Sequence, residues 1–349
     1  MIRIIDAVNP DGSIALADVV LTTLGDVAAV EGSVATFLGG AVISLDSAAP
    51  IADRGEARDD LVENAGTVRA RFVVDDGVVV AADFDSLLMF SAYAHFERAT
   101  LHLGGLGATL PASPVPVYFN PTLQNGPQLT FPKSDNAAFF AMTDAFVLLP
   151  MRILQEIPFA MNTGVVAHEV SHRVFYYVGW NGGLFAAIAA HQYDAGAQQS
   201  FNRVKATDEG VADFFAAAIT ADPAFLAKST PGSISDARDL SVTRVLDPRF
   251  IAGLEPQQDG QYDPYGPGAV VAAALWRLAQ DHGVDTVEAA VIDGLRALSS
   301  QLVQSFTYQF GDLEREVARA LPAADCAAAC ALFAERYLPV AGAFTGVCP

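Results

Sequence analysis

The stretch GVVAHEVSHRVFYY, residues 164–177, carries two of the chain's six histidines four residues apart, with a glutamate directly after the first. On an α-helix, His168 and His172 project from one face and can enter a single coordination sphere. Glu169 lies about 100° around the helix from His168, where its carboxylate can reach a metal-bound water without ligating the metal. The flanking residues are apolar, so the stretch also fits a core helix that carries a few polar side chains.

A catalytic zinc site needs a third protein ligand and an open position for water. A third histidine six positions after His172 is excluded, because Val178 stands there. The next histidine is His191, which could ligate only if the chain doubled back sharply. A carboxylate from a later segment is therefore the better candidate.

Two such carboxylates lie in KATDEGVADFFAAAIT, residues 205–220, which the pattern predicts as a helix opening at Thr207 or Asp208. Glu209 and Asp213 are four residues apart and share a face of this helix. One of them can ligate zinc while the other accepts the remaining N–H of a ligating histidine. Alone, the pair would fit an ordinary acidic cluster near a helix N-terminus; beside the two histidines it favours a metal site.

HEVSH followed by DEGVAD resembles the gluzincin metallopeptidases, specifically the thermolysin and fungalysin branch. In that branch HExxH is followed by a second helix with an Asn/Asp-Glu-x-x-x-Asp pattern. The resemblance covers about residues 83–290. It implies an α+β, two-lobed, zincin-like fold with a β-rich N-terminal lobe, a central HExxH helix and a mainly α-helical C-terminal lobe.

The resemblance also implies roles for the residues of both motifs. His168, His172 and Glu209 would be the ligands of Zn²⁺, Glu169 the general base and Asp213 the hydrogen-bond partner of His168. The 36 residues between His172 and Glu209 exceed the spacing in thermolysin. This excess implies an inserted loop around WNGGLFAAIAAHQYDAGAQQSFNR.

Other stretches resemble the family in the same order. DNAAFFAMTDAFVLLP resembles its upstream edge strand, which pairs with the substrate backbone. Adding an extended peptide to a sheet edge is a common recognition mode, so Asn136 and Ala137 are candidate substrate contacts. AYAHFERA resembles the helix packed against that strand, which would make His95 a structural core residue.

Two further stretches resemble segments that act on the substrate carbonyl. SDARDLSVTRVLDP resembles the segment that supplies an arginine, with Arg238 the better match and Arg244 the fallback. YDPYGPGAVVAAALWRLAQDHG resembles the late helix, but no histidine precedes it here. Tyr265, or Tyr262, occupies the region, and a tyrosine can donate a hydrogen bond to a developing oxyanion. A surface arginine and a turn-packing tyrosine are the alternative interpretations.

Together these features predict a zinc endopeptidase whose partner is a peptide or protein substrate. One alternative is a catalytically degenerate gluzincin fold that serves as a binding or structural protein, favoured by the missing late histidine and the long ligand spacing. The other is a zinc aminopeptidase. That class carries a Gly-x-Met-Glu-Asn motif, which is absent from this sequence.

Composition narrows the classes of partner. The 349 residues include 40 acidic and 20 basic ones, a net charge of −20, which repels nucleic acid and anionic membranes. No apolar run is long enough for a membrane span.

Acidic loops could bind Ca²⁺ as relatives do, although no EF-hand-type loop occurs. The start of the chain lacks the features of a signal peptide, yet the resemblance implies a secreted, cell-surface or periplasmic protein.

The pattern predicts a β-rich segment over 1–82, either an outer sheet or a remnant of a pro-segment. The resemblance implies a gluzincin-like catalytic domain over 83–349, with its cleft between the lobes at about 180–205. Asp76-Gly77 between two valine-rich runs predicts a hairpin. Asp85 is the expected N-cap of the first long helix. After Pro150 helices are expected at about 160–178, 207–220, 268–282, 285–299, 310–320 and 324–336.

All three cysteines lie in the last 24 residues. Cys326 and Cys330 share a helical face, but no histidine lies nearby to complete a zinc set. Either of them could pair with Cys348, as terminal cysteines of exported proteins often do, and leave one free thiol.

Overall fold

The structure is a computed structural model that describes residues 1–6, 14–44, 61–125, 129–130, 136–149, 157–191, 195–230, 232–252 and 263–348. The chain is a mixed α+β protein with a β-rich N-terminal region and a helical C-terminal part. It divides into two compact units. The first unit comprises Met1–His102, Pro111–Arg173 and Lys228–Pro231, and the second comprises Leu103–Leu110, Val174–Ala227 and Gly232–Pro349.

The described strands all belong to the first unit. In chain order they are β1 (Ile2–Asp6), β2 (Ala15–Val19), β3 (Leu24–Asp26), β4 (Glu31–Gly32), β5 (Ala35–Gly39), β6 (Val42–Ser44), β7 (Val62–Glu63), β8 (Gly66–Thr67), β9 (Phe72–Asp75), β10 (Val78–Ala81), β11 (Val115–Phe119), β12 (Thr122–Asn125), β13 (Leu129–Thr130), β14 (Asn136–Phe140) and β15 (Ala145–Leu149).

These strands form three sheets within the described residues. The orders are β2-β1-β10-β9, then β14-β15-β11-β5-β4-β3 with β8 added to β5, and β13-β12-β6-β7. In the largest sheet β11 runs parallel to both β5 and β15, whereas β14 runs antiparallel to β15. Strand β14 therefore lies at one end of this order, over the stretch for which the sequence predicts an edge strand.

The hairpin predicted at Asp76-Gly77 is confirmed. Strands β9 and β10 pair in antiparallel register with Val78 opposite Asp75. Asp76 and Gly77 have φ angles of 46° and 79°, as a type I′ turn requires of both central residues.

The first long helix, α1 (Phe84–Gly105), packs its aromatic residues against the largest sheet. Phe96 lies 6.3 Å from Phe37 on β5 and 4.7 Å from Phe146 on β15, measured between ring centroids. All three side chains are almost completely buried. The helix begins two residues earlier than expected, because Asp83 rather than Asp85 accepts the N–H of Ser86, at 2.8 Å.

The remaining described α-helices begin with α2, the helix that carries the histidine motif. In chain order they are α2 (Thr163–Val174), α3 (Leu184–His191), α4 (Ala195–Thr220), α5 (Gly232–Ser235), α6 (Pro248–Ala252), α7 (Tyr265–His282), α8 (Val284–Ser300), α9 (Asp312–Ala320) and α10 (Ala323–Arg336). A π-helical turn over Phe175–Gly179 continues α2. None of the described helices combines the length and apolar composition that a membrane crossing needs.

Two local predictions about the chain after α2 are wrong. The stretch expected as an inserted loop contains α3, because LFAAIAAH is rich in strong helix formers. Helix α4 also begins at Ala195, not at Thr207. The Thr207 hydroxyl donates to the Arg203 carbonyl one turn back, at 3.0 Å, so it lies inside the helix and does not cap it. The domain boundary at 82 and the cleft at about 180–205 stay predictions.

In the second unit α4 and α7 approach each other closely. A Cβ atom on Gly210 would overlap with the carbonyl oxygen of Gly268, and one on Gly268 would lie 2.8 Å from the Ala206 carbonyl oxygen. Gly268 also lies against Glu209, since its added Cβ would be 3.2 Å from the Glu209 Cβ. The glycine pair therefore brings the first turn of α7 beside the acidic part of α4.

The C-terminal tail of the second unit is fastened by a disulfide between Cys326 and Cys348. Cys330 is the remaining free thiol, with its Sγ 3.1 Å from the Sγ of Cys348. We expect Cys348→Ala to lower the free energy of unfolding by about 3 kcal/mol, because the bridge closes a loop of sequence separation 22.

Cys330→Ala is the matched control for this prediction, and we expect it to cost about 1 kcal/mol. Urea unfolding of both variants under non-reducing conditions checks the difference. Equal stability of the two variants would contradict the assignment of the bridge.

Candidate metal centre

The motif helix α2 begins at a side-chain cap in the first unit. Asn162 Oδ1 accepts the N–H groups of Gly164 at 2.9 Å and Val165 at 3.3 Å. The Asn162 amide donates in turn to Ser229 Oγ at 2.9 Å. This buried cap fixes where the helix starts and therefore which residues share its faces.

His95 on α1 supports the same helix end, and its prediction as a core residue is confirmed, since it is fully buried. Its Nε2 lies 3.1 Å from the carbonyl oxygen of Met161, which can only accept, so Nε2 carries the proton. Its Nδ1 then accepts the hydroxyl proton of Thr163 at 3.0 Å. Burial, together with the charge of Arg98, lowers the pKa of His95 to about 4.

This buried imidazole predicts a pH dependence of stability. The folded-state pKa lies below the ordinary value of 6.5, so the unfolded chain binds the proton more readily between these two values. Stability is therefore fully present above pH 6.5 and is lost as the pH falls toward 4. We expect His95 to account for about 2 kcal/mol of lost unfolding free energy between pH 7 and pH 5.

Urea unfolding of wild type and His95→Gln at both pH values measures this contribution. The variant should lose less stability than wild type over this interval. Identical losses in the two proteins would show that His95 titrates normally.

The two histidines of the motif converge on one point. His168 Nε2 and His172 Nε2 lie 3.0 Å apart, with the ring planes at 85° to each other. Two imidazole nitrogens on one tetrahedral zinc are about 3.4 Å apart, given bonds of about 2.0–2.1 Å. His168 is buried and His172 is partly exposed, so the pair offers a cation two nitrogen ligands with access from one side.

Glu169 lies beside this pair and is itself buried, with 8% of its surface exposed. Its Oε2 accepts the backbone N–H of Phe139 on β14 at 2.8 Å. In an antiparallel pair such as β14 and β15, the backbone N–H and C=O groups of alternate residues point away from the partner strand. Phe139 is one of these residues. Strand β14 therefore orients the carboxylate, a contact that the sequence does not predict.

Among the described residues, two groups of three side chains lie close enough together to hold a metal ion: His168 with Glu169 and His172, and Cys326 with Cys330 and Cys348. The potential ligand atoms of each group lie within 4.8 Å of one another. The cysteine group already contains the disulfide, so the histidine group is the better zinc site. Neither group is the oxygen-rich set that calcium prefers, and calcium stays an expectation from the sequence.

Four predicted residues of the second unit lie on or around α4. Arg238, in a 3₁₀ turn, donates from Nε to Asp213 Oδ2 at 3.0 Å and from Nη2 to Asp213 Oδ1. Burial lowers the pKa of Arg238, but the carboxylates of Asp213 and Glu209 outweigh that effect and raise it above its ordinary value. The arginine is thus a fixed cation held beside both acidic residues.

Tyr265 is the fourth of these residues and lies at the start of α7. The Arg238 guanidinium lies 5.0 Å from the centroid of the Tyr265 ring, within cation–π distance. The Tyr265 N–H donates to Asp263 Oδ1 at 2.9 Å, which fixes the first turn of the helix. Tyr265 is 48% exposed, whereas Glu209 is buried.

The structure also describes most of the other residues that the sequence suggests as site residues. The backbone N–H of Ala137 on β14 points away from β15, like that of Phe139. It donates to the side chain of Asn136 at 3.0 Å. Arg244, the fallback arginine, donates to a backbone carbonyl in the second unit. His191 stacks on Phe306 with ring centroids 5.5 Å apart. Tyr262 lies outside the described residues.

Comparison with known proteins adds no assignment. The chain matches no protein-family model, and no curated protein matches it significantly.

Proposed function

We propose that this chain is a zinc endopeptidase of the gluzincin type with a two-lobed, zincin-like fold. The observation that carries this proposal is the convergence of His168 Nε2 and His172 Nε2 beside the buried, strand-anchored carboxylate of Glu169. A core helix would have no need of two facing imidazoles and an oriented carboxylate on one turn. Metal-dependent hydrolysis uses this combination.

Zinc would be held by His168, His172 and Glu209, a nitrogen and oxygen donor set of the kind found in catalytic zinc sites. When bound, the metal lowers the pKa of water and polarises the scissile carbonyl. Asp213 is the proposed acceptor for the second N–H of His168, in addition to its ion pair with Arg238. Such a partner fixes the tautomer of a ligating imidazole.

Glu169 is the proposed general base. It takes a proton from the water that attacks the scissile carbonyl carbon and delivers it to the leaving amine. The Phe139 N–H keeps the carboxylate turned toward this position by binding one of its oxygens. A base fixed before the substrate arrives loses less orientational freedom in the reaction.

Strand β14 is the proposed substrate platform. Its end position in the described sheet and the outward direction of Ala137 and Phe139 would let an extended peptide pair with its backbone. Asn136 caps the N–H of Ala137, so an arriving peptide would replace that local bond. The Phe139 N–H is already bound to Glu169, which leaves Ala137 as the proposed site of pairing.

Tyr265 and Arg238 are the proposed donors to the oxyanion that forms on the scissile carbonyl. Asp213 and the Tyr265 ring hold the Arg238 guanidinium in place. The disulfide between Cys326 and Cys348 supports an oxidising compartment, and we therefore also propose that the protein acts outside the cytosol.

The proposal is tested with the purified, zinc-loaded protein and an unfolded protein substrate. We expect internal cleavage that a chelator abolishes and that zinc restores after dialysis. Peptides with blocked amino termini should also be cut, which an aminopeptidase would not do. Stoichiometric zinc without any chelator-sensitive cleavage would favour the binding-protein alternative.

A further inference from the structure

A second contact joins the motif helix to the β14–β15 hairpin. Arg173 directly follows His172, and its Nε and Nη2 donate to Asp144 Oδ1 at 2.9 Å and Oδ2 at 3.2 Å. The side chains are only 4% and 9% exposed. Asp144 is the last residue of the turn that joins the two strands, and it has a left-handed backbone with φ of 45°.

This ion pair and the base contact the same hairpin. Glu169 and Arg173 are four residues apart on α2, so their side chains leave the same face of the helix. Glu169 accepts the Phe139 N–H on strand β14, and Arg173 binds the turn that follows this strand. The hairpin is therefore attached to the helix at two points one helical turn apart, Glu169 and Arg173.

A buried ion pair gives little net stability, because removing both charges from water offsets their attraction. Its bidentate geometry nevertheless fixes the orientation of both partners closely. The Arg173–Asp144 pair is thus better suited to setting the position of the hairpin than to stabilising the fold.

We propose that Arg173 and Asp144 are positioning residues for the general base. Their ion pair holds the hairpin against α2, so that the Phe139 N–H remains in place to orient the Glu169 carboxylate. The catalytic consequence rests on the proposed function. The structural consequence, the position of the Phe139 N–H, does not depend on the proposed function.

The double variant Arg173→Met/Asp144→Asn tests this proposal. It removes both charges of this ion pair together, so the fold should keep most of its stability, and asparagine tolerates the left-handed backbone at position 144. We expect the Phe139 amide to exchange its hydrogen about 10-fold faster than in wild type, because the hairpin that carries it is no longer held against its acceptor Glu169. The amide of Val147, in the middle of β15, should be unaffected.

In the cleavage assay we expect kcat to fall about 10-fold, with KM within about two-fold of the wild-type value and zinc content unchanged. The edge strand itself remains available, so substrate pairing should persist. Arg3→Met/Asp18→Asn removes another bidentate arginine–aspartate pair of the same unit, on β1 and β2. This control should change neither kcat nor the exchange of Phe139.

Unchanged exchange at Phe139 in the Arg173→Met/Asp144→Asn variant would overturn the proposal, whatever the activity. Faster exchange with an unchanged kcat, in an enzyme whose wild type cleaves, would show that the pair has no part in catalysis. A wild type that does not cleave at all would remove the proposed function, and the exchange measurement would still decide the positioning claim.

Discussion

Glu169→Gln is expected to reduce peptide cleavage by a factor of about 10² to 10⁴, the usual contribution of a general base. The amide oxygen of glutamine can still accept the Phe139 N–H that Glu169 accepts at 2.8 Å. The fold and the histidine pair should therefore be preserved. Only the ability to take a proton from water is lost, so the variant should keep its zinc.

Rates on an unfolded protein substrate, measured with zinc analysis of the same samples, check this expectation. Glu63→Gln is a suitable control, because Glu63 is an exposed glutamate of the same unit. It should leave the rate unchanged. A Glu169→Gln variant that cleaves like wild type would exclude Glu169 as the base.

Glu209→Ala is expected to weaken zinc binding by about 100-fold or more, since the loss of a partner that merely orients a ligand already costs about 10- to 100-fold. Glu209 is the ligand inferred over the longest distance in sequence, since 36 residues separate it from His172. Cleavage should fall with the metal content. Excess zinc should restore it only in part.

Competition with a zinc-binding dye measures the affinity of the variant. Asp208→Ala is the matched control, because it removes one negative charge from the neighbouring position of α4, about 100° around the helix. It should retain zinc at nearly the wild-type affinity. Equal zinc binding by Glu209→Ala and wild type would mean that another residue completes the ligand set.

The motif helix could be predicted from sequence because its signals are local. The four-residue spacing of His168 and His172 fixes a shared face on any helix, and Asp76-Gly77 specifies its own turn. The prediction of an inserted loop is wrong, because the spacing between the motifs does not report the high helix propensity of the alanine-rich segment.

The contacts that orient the site could not be predicted in the same way. Phe139 contributes a backbone N–H to Glu169, and a backbone group leaves no mark in the sequence. The Arg173–Asp144 and Arg238–Asp213 pairs join residues separated by 29 and 25 positions. Such partners depend on how the strands and helices pack, which residue type alone does not determine. Asparagine before a helix is a recognisable start signal, so the Asn162 cap could have been predicted, although it is not among the predictions from the sequence.

Zinc-edge X-ray absorption on the purified wild-type protein tests the zinc centre most directly, because the two groups of described residues able to hold a metal differ in their ligand atoms. We predict one zinc per chain with nitrogen and oxygen ligands at about 2.0–2.1 Å and the outer-shell signal of two imidazoles. Sulfur ligands at about 2.3 Å, the distance for cysteine, would contradict this prediction. So would a protein that retains no zinc after dialysis against metal-free buffer.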